Sequence, residues 1–291
     1  MKTILVTGAT GFIGNYVVTQ LLEKGYRVTA TSSDPVKAQQ MPWYAKVEYI
    51  PFNFDSFDNG TDYYNYFQRP DLLIHLAWPG LPNYKEAFHI EVNLPAQYAF
   101  LKNLFQNGLR NLTVTGTCFE YGMKEGALVE TMPCEPANAY AIAKDELRKQ
   151  LEVLAAEQGT IFKWVRLFYM YGRGQSPKSL ISQLERALEA GENVFNMSGG
   201  EQVRDFLPVE TVAEGITRIA LQDTVTGIIN CCSGQPVTVK DFVLAWLKEK
   251  GKTIRLNLGY YPYTDYEPMR FWGDNTKFKS IENNEQVSAD R

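Results

Sequence analysis

Tyr140 and Lys144, within YAIAK (140–144), stand one helical turn apart and therefore on one face. A phenol releases its proton near about 10, too high for easy exchange at neutral pH. A neighbouring ammonium favours the phenolate. The pair is thus a proton donor and acceptor with its own tuner, suited to interconverting a carbonyl and an alcohol. Thr117, in TGTCFEYG (115–122), offers a hydroxyl that could hydrogen-bond the reacting oxygen. Near the start of the chain, TGATGFIG (7–14) spaces Gly8, Gly11 and Gly14 as GxxGxxG. Gly8 allows the tight turn, Gly11 lets backbone approach a pyrophosphate, and Gly14 lets a helix pack on a strand. The helix N-terminus that follows offers free N–H groups and a favourable dipole to phosphates. Together these residues describe carbonyl–alcohol proton chemistry beside a bound dinucleotide.

The elements needed to position them are visible in the apolar pattern. Strands read at 2–7, 27–31, 46–52, 71–77, 110–115 and 160–166, with helices at 12–24, 84–107 and 138–158. The strands are near-continuous apolar runs and alternate with helices, which indicates a parallel sheet covered on both faces. The expected fold class is α/β, a Rossmann-like doubly wound sheet with a smaller, loop-rich substrate lobe. The dinucleotide domain is expected over 1–166 plus a returning segment at about 203–232, and the lobe over about 167–202 and 233–291. Beyond residue 167 helices read at 179–190, 209–221 and 238–250, with a strand at 227–232. The aromatic stretch YYPYTDYEPMRFW (260–272) either covers the substrate or packs as core.

Composition excludes several alternatives. With 29 basic against 33 acidic residues there is no cationic surface for nucleic acid. No apolar run approaches the ~18 residues of a membrane span, and the N-terminus reads as lacking a signal peptide. Cys118, Cys134, Cys231 and Cys232 form no CxxC pair, so they read as reduced thiols of a cytoplasmic protein. With only His75 and His89 besides, no metal spacing arises, and no metal is expected. His75 reads as a hydrogen-bonded strand histidine.

The order of motifs resembles the extended short-chain dehydrogenase/reductase family, in its nucleotide-sugar branch. TGATGFIG is similar to TGxxGxxG, HLAW (75–78) to HxAA, and TGTCFEYG to SSxxVYG. RLFYMYGRGQ (166–175) is similar to RxxNVYGPGQ, and VRDFLPVETVAEGI (203–216) to RDFxxVxDxA. The resemblance implies Thr117, Tyr140 and Lys144 as catalytic residues. For the dinucleotide it implies Gly8, Thr10, Gly11, Phe12, Ile13 and Gly14, then Ser32, Ser33, Asn53 and Phe54. Leu76, Ala77, Trp78, Asn93, Thr115, Tyr140 and Lys144 complete that set. For the substrate it implies Cys118, Phe119, Tyr169 and Arg204, the last on a pyrophosphate unless it pairs with Asp205. Departures are Trp78 for alanine, Tyr169 for asparagine, Arg173 for proline, and Asn53-Phe54 for an Asp-apolar pair.

The second strand ends in Ser32-Ser33 rather than the carboxylate that holds an adenosine ribose. That favours NADP, with Lys37 as a nearby cation; Asp34 turned inward would favour NAD. Dehydration needs carboxylates directly after Thr117, where Cys118 and Phe119 stand; Glu120 comes one place late. The resemblance therefore implies NADPH-dependent reduction of a dTDP-4-dehydro-6-deoxyhexose at carbon 4, in a homodimer serving deoxysugar and surface-polysaccharide biosynthesis. The alternatives are an NAD-dependent nucleotide-sugar 4-epimerase and a non-catalytic dinucleotide sensor.

Overall fold

The structure, a computed structural model, describes residues 2–281. Its first half runs β1 (Thr3–Thr7), α1 (Phe12–Glu23), β2 (Arg27–Thr31), α2 (Pro35–Gln39), β3 (Glu48–Tyr49), α3 (Tyr63–Tyr66) and β4 (Leu72–His75). It continues with α4 (Leu94–Asn107), β5 (Asn111–Thr117), β6 (Gly126–Leu128), α5 (Ala139–Gln158) and β7 (Ile161–Leu167). Then come β8 (Tyr169–Tyr171), α6 (Leu180–Glu189), β9 (Val194–Asn196), β10 (Val203–Arg204), β11 (Phe206–Pro208) and α7 (Val209–Leu221). β12 (Gly227–Cys231), β13 (Val237–Thr238), α8 (Val239–Glu249), β14 (Arg255–Asn257) and β15 (Phe271–Gly273) follow.

Seven strands pair in parallel in the order β12-β7-β5-β4-β1-β2-β3. Alternation within each strand feeds two cores. Ile4 and Val6 join Val17, Leu21, Ile216 and Ile219 on the face covered by α1 and α7. Leu5 and Leu73 join Phe100, Leu104 and Leu147 on the face covered by α4 and α5. Burying each such side chain contributes about 1.5–3 kcal/mol. This is a Rossmann-like doubly wound α/β fold. Its strand order reverses between β1 and β4, and ligands of such sheets bind at the carboxyl ends beside that point.

A smaller core of Leu184, Met197, Phe242 and Trp246 lies among α6, β9 and α8. Short strand pairs stitch the second half to itself and to the first: β8 with β11, β9 with β14, β10 with β13, and β15 with β6. Phe278 and Ile281 pack in the α1/α7 core, so the last described turns return to the sheet rather than to the lobe that 233–291 was expected to form.

Three expected elements are shorter by three residues or more. The third strand is Glu48–Tyr49, not 46–52, and the fourth is Leu72–His75, not 71–77. The expected helix 84–107 starts as turns and a π-helical segment, His89–Asn93, before α4. Pro95 explains the change, because it has no N–H to give the carbonyl one turn earlier.

Candidate active site

A cleft of about 500 Å³ opens at the carboxyl ends of β1, β2 and β4. Gly8 has φ +67°, and a Cβ there would meet the Ala77 nitrogen at 2.9 Å. The turn after β1 and the loop after β4 thus touch backbone to backbone. A Cβ on Gly14 would lie 2.1 Å from the Gly8 carbonyl, so the first turn of α1 packs on the glycine loop itself. Gly11 is exposed and caps α1 with no side-chain hydrogen bond, leaving the first-turn N–H groups free for an anion. This cradle fits a dinucleotide diphosphate.

Gly8, Thr10, Gly11, Ser32, Ser33, Asn53, Phe54, Leu76, Ala77, Trp78 and Asn93 all line the cleft. The remaining expected cofactor residues do not. Phe12 packs edge-on against Tyr16, Ile13 packs on the core, and Thr115 is buried with its hydroxyl toward the His75 carbonyl. Asp34 does not turn inward: its carboxylate caps α2 by accepting from the Lys37 N–H at 2.9 Å. Among the described residues no lysine or arginine lines the cleft, whereas Asp55 does.

The wall between β1 and β4 is set by His75. Its Nδ1 lies 2.9 Å from the Thr7 hydroxyl and its Nε2 lies 2.7 Å from Gln97 Oε1. Thr7 Oγ1 in turn accepts the Leu76 and Ala77 N–H groups at 3.2 and 3.4 Å. The imidazole is neutral, with burial pulling it down to about 3 and Lys144 adding to the effect. The expected strand histidine is thus a paired one.

The three chemical groups converge beside this wall. Asn138 caps α5 through the Ala141 N–H at 2.9 Å and starts the helix that carries Tyr140 and Lys144. Tyr140 is buried, with the Thr117 hydroxyl beside its own. Burial holds its proton above the usual phenol range; Tyr84, Glu120 and Cys118 act the same way, and the Thr117 hydroxyl opposes them. Lys144 is buried, and burial pulls it down to about 7 while Glu120 holds it up. Its Nζ donates to the Thr115 carbonyl at 2.8 Å and sits 4.1 Å from the centre of the Trp78 ring.

Trp78 is anchored by a residue that the motif reading passed over. Its indole N–H donates to His89 Nδ1 at 3.0 Å, and His89 Nε2 donates to the Asn83 carbonyl at 3.1 Å. Asn93 ties the same region through the Pro79 carbonyl at 3.0 Å.

A second cleft of about 290 Å³ lies on the lobe side, lined by Tyr84, Tyr169, Tyr171, Gln202, Arg204 and Glu267 among others. Arg204 is 3% exposed and does not pair with Asp205, which accepts the Ser233 and Gly234 N–H groups instead. It pairs with Glu267 at 2.8 Å and lies over the Phe271 ring at 4.4 Å. The Tyr169 hydroxyl also donates to Glu267. A phosphate reaching Arg204 must therefore compete with a carboxylate that the sequence reading did not foresee. Cys118, which could line the substrate pocket or pack as core, packs among Tyr121, Leu128, Phe168, Cys232 and Phe271. Phe119 meets the rings of Tyr84, Tyr169 and Tyr266. The aromatic stretch divides accordingly: Thr264 and Glu267 line the cleft, while Tyr260, Tyr261 and Tyr263 are exposed.

Glu120, Cys134 and Asp145 place ligand-type atoms within 4.8 Å of one another. That space is already neutralised: Arg166 holds Glu120 and Cys134, while Arg148 and Lys149 hold Asp145. Among the described residues no helix is long and apolar enough to cross a membrane.

The sequence profile of the NAD dependent epimerase/dehydratase family matches residues 4–232. The chain is 30% identical, over 93% of its length and 98% of the relative's, to dTDP-6-deoxy-L-talose 4-dehydrogenase (NAD(+)) of Aggregatibacter actinomycetemcomitans. It is 26% identical, over 79% of its length and 74% of the relative's, to GDP-6-deoxy-D-talose 4-dehydrogenase of the same organism. Among solved structures, MoeE5 in complex with UDP-glucose and NAD superposes with a TM-score of 0.80 at 25% identity, covering 96% of this chain and 91% of that one.

Proposed function

Because the chain belongs to the NAD dependent epimerase/dehydratase family, we propose that it transfers hydride between a nicotinamide dinucleotide and carbon 4 of a nucleotide-linked 6-deoxyhexose. The physiological direction is reduction of the 4-keto sugar, and the nucleotide is dTDP. The observation that carries the chemistry is the convergence of Thr117, Tyr140 and Lys144 beside the glycine-lined cleft. The choice of sugar is supported by the 30% identical relative, whose name specifies a dTDP-6-deoxyhexose 4-dehydrogenase.

When bound, the dinucleotide supplies or takes up the hydride. Tyr140 gives its proton to the oxygen on carbon 4 as the ketone becomes an alcohol, and takes it back in the reverse direction. The Thr117 hydroxyl orients the Tyr140 hydroxyl and the sugar oxygen. The Lys144 ammonium favours the phenolate that remains, limiting the cost of the transfer. Tyr84 lies against the Tyr140 ring and itself meets Phe119 and Tyr266, an aromatic wall that would keep water from that oxygen. In the second cleft Arg204 is the phosphate partner, reached by displacing Glu267.

Of the two dinucleotides weighed from the sequence, the cleft favours NAD over NADP. A 2′-phosphate beside Ser32 and Ser33 would meet no lysine or arginine among the lining residues and would lie near Asp55. The named relative uses NAD(+).

The test is NADH or NADPH oxidation with dTDP-4-dehydro-6-deoxyglucose, with and without a 3,5-epimerase. The expected result is turnover only with the epimerase, faster with NADH. Tyr140→Phe should abolish turnover and keep dinucleotide binding. No oxidation by the unaltered protein, together with dinucleotide retained through purification, would replace the reductase with a nucleotide-sugar 4-epimerase.

A further inference from the structure

We infer that Glu120 is a positioning residue of this site: it holds Thr117 from behind and supplies the buried negative charge that acts on Lys144. The inference rests on the hydride-transfer reading above for its consequence in turnover, but not for its electrostatics.

Glu120 is fully buried. Its Oε1 accepts the Thr117 N–H at 2.8 Å, while the Thr117 hydroxyl accepts the Phe119 N–H, a reciprocal capping box around residues 117–120. The same carboxylate accepts the Trp164 indole N–H at 3.0 Å and the Arg166 Nε–H at 2.7 Å. Gly116 makes room for this meeting. A Cβ there would lie 2.1 Å from Trp164 Nε1 and 2.4 Å from Glu120 Oε1. Thr115, Gly116 and Thr117 are therefore fixed in succession. Thr115 receives Lys144, Gly116 clears the indole and carboxylate, and Thr117 is held at its backbone.

Stability alone gives little reason for this arrangement. A buried ion pair is often no better than a well-packed apolar pair of the same volume, and the motif that TGTCFEYG resembles has valine here. What a carboxylate adds is charge. Trp164 joins the two groups: its indole N–H donates to Glu120 at 3.0 Å, and its ring centre lies 5.8 Å from Lys144 Nζ. Across that ring Glu120 acts on Lys144 and opposes the pull of burial. The other titratable neighbours are neutral: His75 and His89 near Lys144, and Tyr84 and Cys118 near Tyr140. Arg166 and Cys134 face Glu120 from its far side. Removing the charge lowers Lys144, and it also lowers Tyr140, which Glu120 holds up. Both changes move the alkaline limb of activity to lower pH.

The experiment compares the unaltered protein with Glu120→Gln, Glu120→Asp and the double variant Glu120→Gln/Arg166→Gln, in which no guanidinium is left unpaired. Lys144 is titrated directly by NMR of protein carrying 13C-labelled lysine, its signal assigned by its loss in Lys144→Arg. This readout needs no turnover. The alkaline limb of NADH oxidation is recorded in parallel. Lys144 should titrate lower in both glutamine variants, by about one pH unit, as loss of a buried opposite charge requires. The limb should move with it, and Glu120→Asp should restore most of the shift. Identical Lys144 titrations in the unaltered protein and the double variant would overturn the inference while leaving hydride transfer intact. If the unaltered protein turns over no sugar, the functional reading fails, and the Lys144 titration alone decides the role of Glu120.

Discussion

His75 makes the protein sensitive to acid in a way that can be calculated. It is 1% exposed, and burial, aided by Lys144, holds its pKa at about 3 against an ordinary 6.5. Between those values the unfolded chain takes a proton that the folded chain refuses. This share of the stability is complete above pH 6.5 and is lost as the pH falls toward 3. Each pH unit in that window is worth about 1.4 kcal/mol, so two units below the ordinary value, near pH 4.5, the loss is about 3 kcal/mol. Against a total of about 5–15 kcal/mol for a typical domain, that is a large fraction.

The perturbation is His75→Asn, which does not titrate yet leaves an amide to meet the Thr7 hydroxyl. It gives up the 2.7 Å bond to Gln97, and leaving that buried amide short of a partner costs about 1–3 kcal/mol at neutral pH. Urea unfolding followed by tryptophan fluorescence from pH 7.5 to about 4 would show the variant starting lower and falling less steeply, with the two curves meeting between about pH 4.3 and about pH 5.8. Parallel curves would refute the reasoning. A second consequence touches the cleft. Thr7 Oγ1 holds the Leu76 and Ala77 N–H groups, so acid that forces a proton onto His75 Nδ1 competes for that oxygen. Dinucleotide affinity should therefore hold through most of that window, weaken only as the pH approaches 3 in the unaltered protein, and weaken much less in the variant.

Gly14→Ala places a Cβ 2.1 Å from the Gly8 carbonyl; with backbone on both sides it should cost about 3 kcal/mol and abolish dinucleotide binding by calorimetry. Gly25→Ala has open space around its Cβ and strain only from φ +79°, so it should cost about 1–2 kcal/mol and leave binding unchanged; equal effects of the two would contradict the packing account. Glu267→Gln removes the carboxylate paired with Arg204 and should tighten dTDP binding about tenfold, near 1.4 kcal/mol. Weaker binding would mean that Glu267 orders Arg204 rather than competing for it.

Features that depend on nearby residues were legible in the sequence. The strand–glycine–helix start, the parallel sheet and the Tyr140–Lys144 face follow from spacings of two to four residues, and the structure places all three together. What was hidden depends on distance along the chain. Glu267 reaches Tyr169 across 98 residues and Arg204 across 63, and nothing local marks it. The indole–imidazole contact of Trp78 with His89 spans a loop whose shape depends on Pro95 and a π-helical turn. Glu120 is different, because its signal was present: Thr117 and Glu120 stand in the T-x-x-E spacing of a capping box. Judged only as a catalytic carboxylate it was one residue late; as a cap it was in place.

Three positions that depart from the family pattern, Trp78, Tyr169 and Glu120, come with partners, and that bears on what they do. Trp78, in place of alanine, has His89 to accept its N–H and Lys144 to sit on its ring. Tyr169, in place of asparagine, has Glu267, which also takes Arg204. Glu120, in place of valine, has Arg166, Trp164 and the space at Gly116. A polar side chain that drifts into a buried site alone leaves unsatisfied groups, each costing about 1–3 kcal/mol, and is lost. One that arrives with partners costs little and can alter the field or shape of the site. All three sets border the Thr117–Tyr140–Lys144 centre without replacing any member of it. On the hydride-transfer reading proposed above the chemistry is kept, and what differs is the setting: the charge acting on Lys144, the ring covering it, and the carboxylate guarding Arg204. Differences between this chain and its relatives in pH dependence and substrate choice should trace to these three clusters, and substituting one member of a cluster should do more harm than exchanging the whole set.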